Sequence, residues 1–232
     1  MVERAAEIGF LLLLVVGIPV MSWLTSRDPQ LRAIPRPALY LSAAVSEWLF
    51  AALAIAAVKV AGLNAPAIGF RALSLHNLAI WTALPVAVAA GGLGVLLLLE
   101  RWNGWPEESD LVLLLMPRTR AEKLWALAVV APTAALVEEF LYRGYLFTMV
   151  QHFLHPTVWA WSLSSVAFGL AHFYQRPSGM MRAAVLGALL AWPLVRTGSL
   201  YPSMMAHFLI DAAAFGWLGA RLLKAPQTEN QA

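Results

Sequence analysis

Residues 8–24 read IGFLLLLVVGIPVMSWL and residues 78–99 read LAIWTALPVAVAAGGLGVLLLL, and neither run holds a charged side chain. Inside a lipid bilayer a backbone N–H or C=O group has no water to bond, so only α-helices and closed barrels cross it. Barrel strands alternate apolar with polar residues, and these runs do not. A helix of about 20 apolar residues spans the hydrocarbon core. The runs therefore predict an all-α, polytopic helical membrane protein. Composition agrees, with 60% hydrophobic and 12% charged residues and a mean hydropathy of +0.69. Soluble domains carry about a quarter charged residues.

Seven apolar segments are expected to span, at 8–25, 38–61, 78–99, 123–149, 157–174, 181–197 and 199–220. The fourth has length to spare, and the sixth, which contains Pro193, is barely long enough. With seven spans, one side of the membrane gathers Arg27, Arg32, Arg36, Arg101, Arg118, Arg120, Lys123, Arg176, Arg182, Arg221 and Lys224, eleven in all. The other side holds four: Arg4, Lys59, Arg71 and Arg196. Basic residues stay on the cytoplasmic side, which predicts an N-terminus outside and a C-terminus inside. The membrane is expected to be a bacterial inner (plasma) membrane, which the charge tally does not itself indicate. No A-x-A-like cleavage site follows the first run, so it reads as a retained span rather than a signal peptide.

The net charge of +3 suits a protein lying against an anionic bilayer surface. Sixteen basic residues scattered over many loops form no nucleic-acid stripe, so no nucleic-acid partner is expected. There is no cysteine, which excludes disulfides, thiolate metal ligands and a cysteine nucleophile.

Ionisable residues at bilayer depth cost ~2.5–3.5 kcal/mol each on insertion scales, so each asks for a reason. Beyond Lys123 they are Glu138, Glu139, Arg143, His172, His207 and Asp211. Residues four apart share a helix face, so Glu139 and Arg143 are expected to form an ion pair. Glu138 lies about 140° from Arg143 around the axis and is left as an unpaired carboxylate, a candidate base. At 1.5 Å per residue, Glu138, His207, Asp211 and His172 lie about 15, 12, 18 and 22 Å in from loops on one side. Four titratable groups from three helices can therefore meet. Glu47, inside the second span, reads as a structural partner in preference to a residue lining a cavity. His76, His152 and His155 read as solvated loop residues, and Trp102, Trp105 and Tyr174 as interface anchors.

The sets EEFLYR (138–143), FGLAH (168–172) and HFLID (207–211), in this order on successive helices, resemble a known family. It is the CPBP or Abi-like family, the CAAX proteases and bacteriocin-processing proteins, whose pattern is E-E-x-x-x-R, then F-x-x-x-H, then H-x-x-x-N or -D. The resemblance covers roughly residues 118–215. It divides the chain into N-terminal transmembrane helices over 1–117, a CPBP-like core over 118–220 and a polar tail over 221–232, all within one membrane domain.

What the resemblance implies is an intramembrane-type endopeptidase acting on a membrane-associated peptide or protein within the lipid bilayer. Glu138, helped by His172, would activate water, and His207 with the residue at 211 would stabilise the oxyanion. Glu139, Arg143 and Phe168 would support them. The prenyl endopeptidase branch usually carries asparagine where this chain has Asp211, although bacterial members often carry aspartate. An ionised aspartate offers no donor, so Asp211 must be protonated, orient His207 or bind a metal. No cofactor is expected. A zinc-dependent reading would use Glu138, His172 and His207 as ligands, but no H-E-x-x-H is present and it ranks second. Rival readings are a non-catalytic immunity or regulatory protein and a proton-coupled transporter.

Overall fold

The computed structural model describes residues 2–103 and 108–219. All regular structure among them is helical, as the apolar runs require. The helices are α1 (2–25), α2 (Arg36–Val60), α3 (Leu75–Asn103), α4 (Asp110–Leu115), α5 (Arg120–Phe153), α6 (Thr157–Ala171), α7 (Arg176–Thr197) and α8 (201–218). The polar tail expected over 221–232, and Trp105, lie outside the described residues.

Among the described residues, five stretches are long and apolar enough to cross a membrane: Glu7–Thr25, Arg36–Val60, Leu75–Leu96, Arg120–Phe153 and Phe173–Thr197. This corrects the sequence reading in three places. The seventh segment, expected over 199–220, is helix α8 and is not among the five. The fifth segment, expected over 157–174, is the 15-residue helix α6, too short to count as a span. The sixth, expected to be marginal at 181–197, begins at residue 173 and has 25 residues. The chain turns back at His172 through a single 3₁₀ turn, Phe173–Gln175. A hydropathy reading runs across that turn because Phe173 and Tyr174 are themselves apolar.

Helix α5 sits centrally, packed against α2, α6 and α8, while α8 also lies against α3 and α7. Helices α1 and α5 both carry π-turns, at Leu13–Gly17 and Ala126–Val130. Each ends two residues before a proline, Pro19 and Pro132. A proline ring clashes with the carbonyl four residues back, here those of Val15 and Ala128. The helix widens by one residue around that carbonyl, and the Ile18 and Ala131 amides reach back to the carbonyls of Leu13 and Ala126.

Short helix α4 straps one end of the bundle. Its Asp110 carboxylate accepts from Arg32 at 2.6 Å. The Leu114 carbonyl accepts from Arg36 Nε at 2.6 Å and the Leu115 carbonyl from the Tyr40 hydroxyl at 2.8 Å. Just before it, Glu108 takes a two-oxygen contact from Arg182 at 2.6 and 2.7 Å. The strap packs on the 173–175 turn and so fixes the end of the molecule at which His172 sits.

Helices α6 and α7 meet most closely at Gly169. A Cβ there would lie 2.7 Å from the Ala184 Cβ and 2.8 Å from the Met180 carbonyl oxygen. Neither atom is the end of a flexible side chain. Gly169→Ala is expected to destabilise the folded protein by about 1–3 kcal/mol, a few degrees of Tm. Gly91→Ala in α3 has open space around it and serves as the control. Thermal unfolding of both variants in detergent measures the difference, and equal Tm values would contradict this packing.

Candidate functional site

The site is built where α5, α8 and the end of α6 converge. Glu139 is fully buried, and its Oε1 accepts from Arg143 Nη1 at 3.0 Å and from His207 Nδ1 at 2.9 Å. The spacing of four predicts the first contact, and the second ties α5 to α8. Arg143 lies in a π-turn, Phe140–Leu146, that follows the two glutamates and has no proline to cause it. Gly187 on α7 leaves the space the guanidinium fills, since a Cβ there would lie 3.1 Å from Arg143 Nη2. Arg143 also stands over the Phe168 ring, 4.2 Å from its centre, in cation–π geometry.

Phe168 is the shared wall of the site. Its ring centre lies 4.6 Å from that of His172, 6.0 Å from that of His207 and 5.3 Å from that of Tyr142. Both histidines expected at the site thus flank one buried ring. His172 is the residue at which α6 ends, and its Nδ1 lies 2.8 Å from the Phe168 carbonyl. A carbonyl only accepts, so Nδ1 carries the hydrogen, and in the neutral ring Nε2 has the lone pair.

Around this buried frame stand partly exposed carboxylates. Glu138 is 20% exposed, and its Oε2 lies 3.8 Å from His207 Nε2. Asp211 is 24% exposed, and its Oδ2 lies 3.6 Å from the same nitrogen. Glu138 has no arginine partner among its contacts, and its Oε2 makes no hydrogen bond. His172 lies within electrostatic reach of Asp211, together with His207, Glu138 and Glu139. The structure therefore brings together all seven residues singled out in the three motifs.

Two further residues reach the site that the sequence reading placed elsewhere. Tyr174, read as an interface anchor, lies with its ring 5.8 Å from that of His172 and within electrostatic reach of Glu138 and Asp211. Glu47, read as structural, points into the bundle from α2. On α2 the buried residues Tyr40, Ala44, Ala51, Ala54 and Val58 share one helical stripe with position 47, a period visible in the sequence. Among the histidines read as loop residues, His76 and His152 lie in the first turn of α3 and the last turn of α5.

As to zinc, no three His, Asp or Glu side chains among the described residues converge closely enough to hold a metal ion. Glu138, His172 and His207 do not make a ligand set in this arrangement, so no chemical step is routed through a metal.

Residues 120–213 match the family model described as type II CAAX prenyl endopeptidase Rce1-like, which bears out the resemblance carried by the three motifs. No curated protein and no solved structure matches the chain.

Removing one partner of a buried ion pair leaves an uncompensated charge and costs about 3–5 kcal/mol. Arg143→Leu is therefore expected to unfold the protein in detergent well below the wild-type temperature. The double variant Arg143→Leu, Glu139→Leu should recover part of the loss, because no lone charge remains. A double variant no more stable than the single one would contradict the pairing.

Proposed function

Because residues 120–213 carry the type II CAAX prenyl endopeptidase match, we propose that the protein hydrolyses a peptide bond of a membrane-associated peptide or protein, with Glu138 as general base. The observation that carries this reading is the division of labour between the adjacent glutamates. Glu139 is committed to Arg143 and His207, while Glu138 keeps a free carboxylate oxygen facing the same histidine.

The residues suit each step. Glu138 takes one proton from water, and the lone pair on His172 Nε2 accepts the water's second hydrogen and aims the oxygen. The hydroxide so formed attacks the scissile carbonyl carbon, and its C=O becomes a tetrahedral oxyanion. His207 Nδ1–H is held by Glu139, which turns Nε2 toward the reacting centre, where an N–H would donate to the oxyanion. To donate at both nitrogens the ring must carry both protons, a charge that Glu138, Glu139 and Asp211 surround. Collapse of the intermediate then breaks the C–N bond, and Glu138 returns its proton to the leaving amine. Losing one oxyanion donor typically costs roughly 100- to 1,000-fold in rate.

Arg32, Arg36 and Arg182 all bond to the segment 108–115, so basic residues gather at that end of the bundle, which supports an inner-membrane protein with that end cytoplasmic and its N-terminus outside. The α6 turn carrying His172 is joined directly to Arg176, so on this reading the site opens toward the basic, cytoplasmic side.

Purified protein in detergent, offered a library of hydrophobic and lipidated peptides, tests the reading. Glu138→Ala and His172→Ala are each expected to lower kcat by about 100-fold or more with the fold intact by circular dichroism. EDTA is expected to leave cleavage unchanged. Wild-type cleavage by the Glu138→Ala protein would sink the mechanism, and loss of activity in EDTA restored by zinc would replace it with the metal reading.

A further inference from the structure

Tyr142 is buried at the site, and no step of the hydrolysis described above uses it. It follows Glu138 by four positions on α5, so the two side chains share one face of the helix. The π-turn that begins at Phe140 changes this by only a fraction of a turn. Long side chains on a helix lean toward its N-terminus, which carries the Tyr142 ring back over the turn that bears Glu138. The ring stands edge-on to Phe168, with 5.3 Å between centres, against the same ring that His172 and His207 flank. Tyr142 is 2% exposed, yet its hydroxyl has no hydrogen-bond partner among the described residues, and neither has Glu138 Oε2. The hydroxyl can donate and the carboxylate oxygen accepts. Buried polar atoms are almost always satisfied, and a donor and an acceptor on one helix face that do not bond each other directly are spanned by a water.

We propose that Tyr142 is a further catalytic residue, its hydroxyl holding the attacking water against Glu138. A water has four hydrogen-bonding directions. Its two hydrogens go to Glu138 and to His172 Nε2, and one lone pair accepts from the Tyr142 hydroxyl. The other lone pair is left for the scissile carbonyl carbon. As Glu138 takes its proton the water oxygen gains negative charge, and the bond from Tyr142 becomes charge-assisted and stronger. The donor thus favours the nascent hydroxide over the resting water, and only such a difference lowers the barrier. Tyr142 keeps its own proton throughout, and the transferred proton passes from water to Glu138 to the leaving amine. The other charged or titratable groups within electrostatic reach of this hydroxyl are Arg143 and Glu47. Arg143 brings only donors and cannot take the tyrosine hydrogen. Glu47 on α2 also has an unpartnered oxygen, so a hydroxyl spent on Glu47 is the rival arrangement. Tyr174, the other tyrosine at the site, already accepts from Gln175 Nε2 at 3.1 Å.

The inference rests on Glu138 being the base, and the test tells the two apart. With a library peptide that the wild-type protein cleaves, kcat and KM per folded protein, and Tm, are measured in detergent for four variants. They are Tyr142→Phe, Tyr145→Phe, Glu138→Gln and the double variant Tyr142→Phe, Glu138→Gln. Tyr142→Phe removes only the hydroxyl and keeps the ring against Phe168. Its kcat should fall on the order of 10- to 100-fold, the range of one hydrogen bond to a charged atom, with KM and Tm near wild type. Tyr145 is the control, since it too is buried with an unpartnered hydroxyl, but its ring packs on Phe10 of α1. Tyr145→Phe should keep the wild-type kcat. The double variant should lose little more than Glu138→Gln alone, because both residues act on one water. Wild-type kcat in Tyr142→Phe overturns the proposal while leaving Glu138 as the base, and it is the result expected if the hydroxyl is spent on Glu47. Losses that multiply in the double variant, or an equal loss in Tyr145→Phe, overturn it as well. Full activity in Glu138→Gln removes the base assignment itself, and with it the water that Tyr142 holds.

Discussion

One carboxylate oxygen organises this molecule. Glu139 Oε1 takes hydrogen bonds from Arg143 on its own helix and from His207 on α8, in a bundle whose surroundings are hydrocarbon. In low dielectric such contacts are strong once formed, yet bringing the charges there is expensive. The arrangement is not even fully satisfied. Glu139 Oε2 and Arg143 Nε and Nη2 have no hydrogen-bond partner, and the guanidinium is compensated instead by the face of Phe168. An apolar triplet of similar volume would serve stability at least as well. What the charged one supplies is direction: it fixes His207 Nδ1 and therefore where Nε2 points. A fixed orientation of the His207 ring is what the buried Glu139 and Arg143 provide here.

The same logic orders the rest of the site. His172 is fixed by the Phe168 carbonyl and His207 by Glu139, so each imidazole has one nitrogen spent on orientation and one presented to the cavity. Phe168 separates the two rings and shields the arginine. The partly exposed carboxylates Glu138 and Asp211 approach only the free nitrogen of His207. Both imidazoles are thereby held against one aromatic ring, with the partly exposed side occupied by carboxylates.

Much of this was legible in the chain because helices translate spacing into contact. The pairs Glu139–Arg143 and His207–Asp211 follow from a separation of four, and Glu138 is isolated by its angle around the axis. What spacing cannot reveal is where a helix stops inside an apolar stretch. Phe173 and Tyr174 continue the hydrophobic signal past His172, so α6 reads as a span, whereas it ends at Ala171. The π-turn over Phe140–Leu146 was equally hidden, since no proline marks it. Tyr174 was read from its position near a span end, but the turn brings it back against His172. Long-range approach of α2 to α5 and α8 has no local signature except the stripe through Tyr40, Ala44, Ala51, Ala54 and Val58.

That stripe bears on how the site is bounded. Residues 120–213 hold Glu138, Glu139, Arg143, Phe168, His172, His207 and Asp211, and taken alone they look like a complete catalytic unit with the first hundred residues as packing. Helix α2 lies directly against α5, with Trp48 donating to Thr133 at 3.3 Å, and that contact sets the height at which Glu47 meets the site. Helix α2 therefore belongs to the wall of the site, and Glu47, which no motif in the second half of the chain contains, lies within electrostatic reach of Glu138, His207 and Asp211.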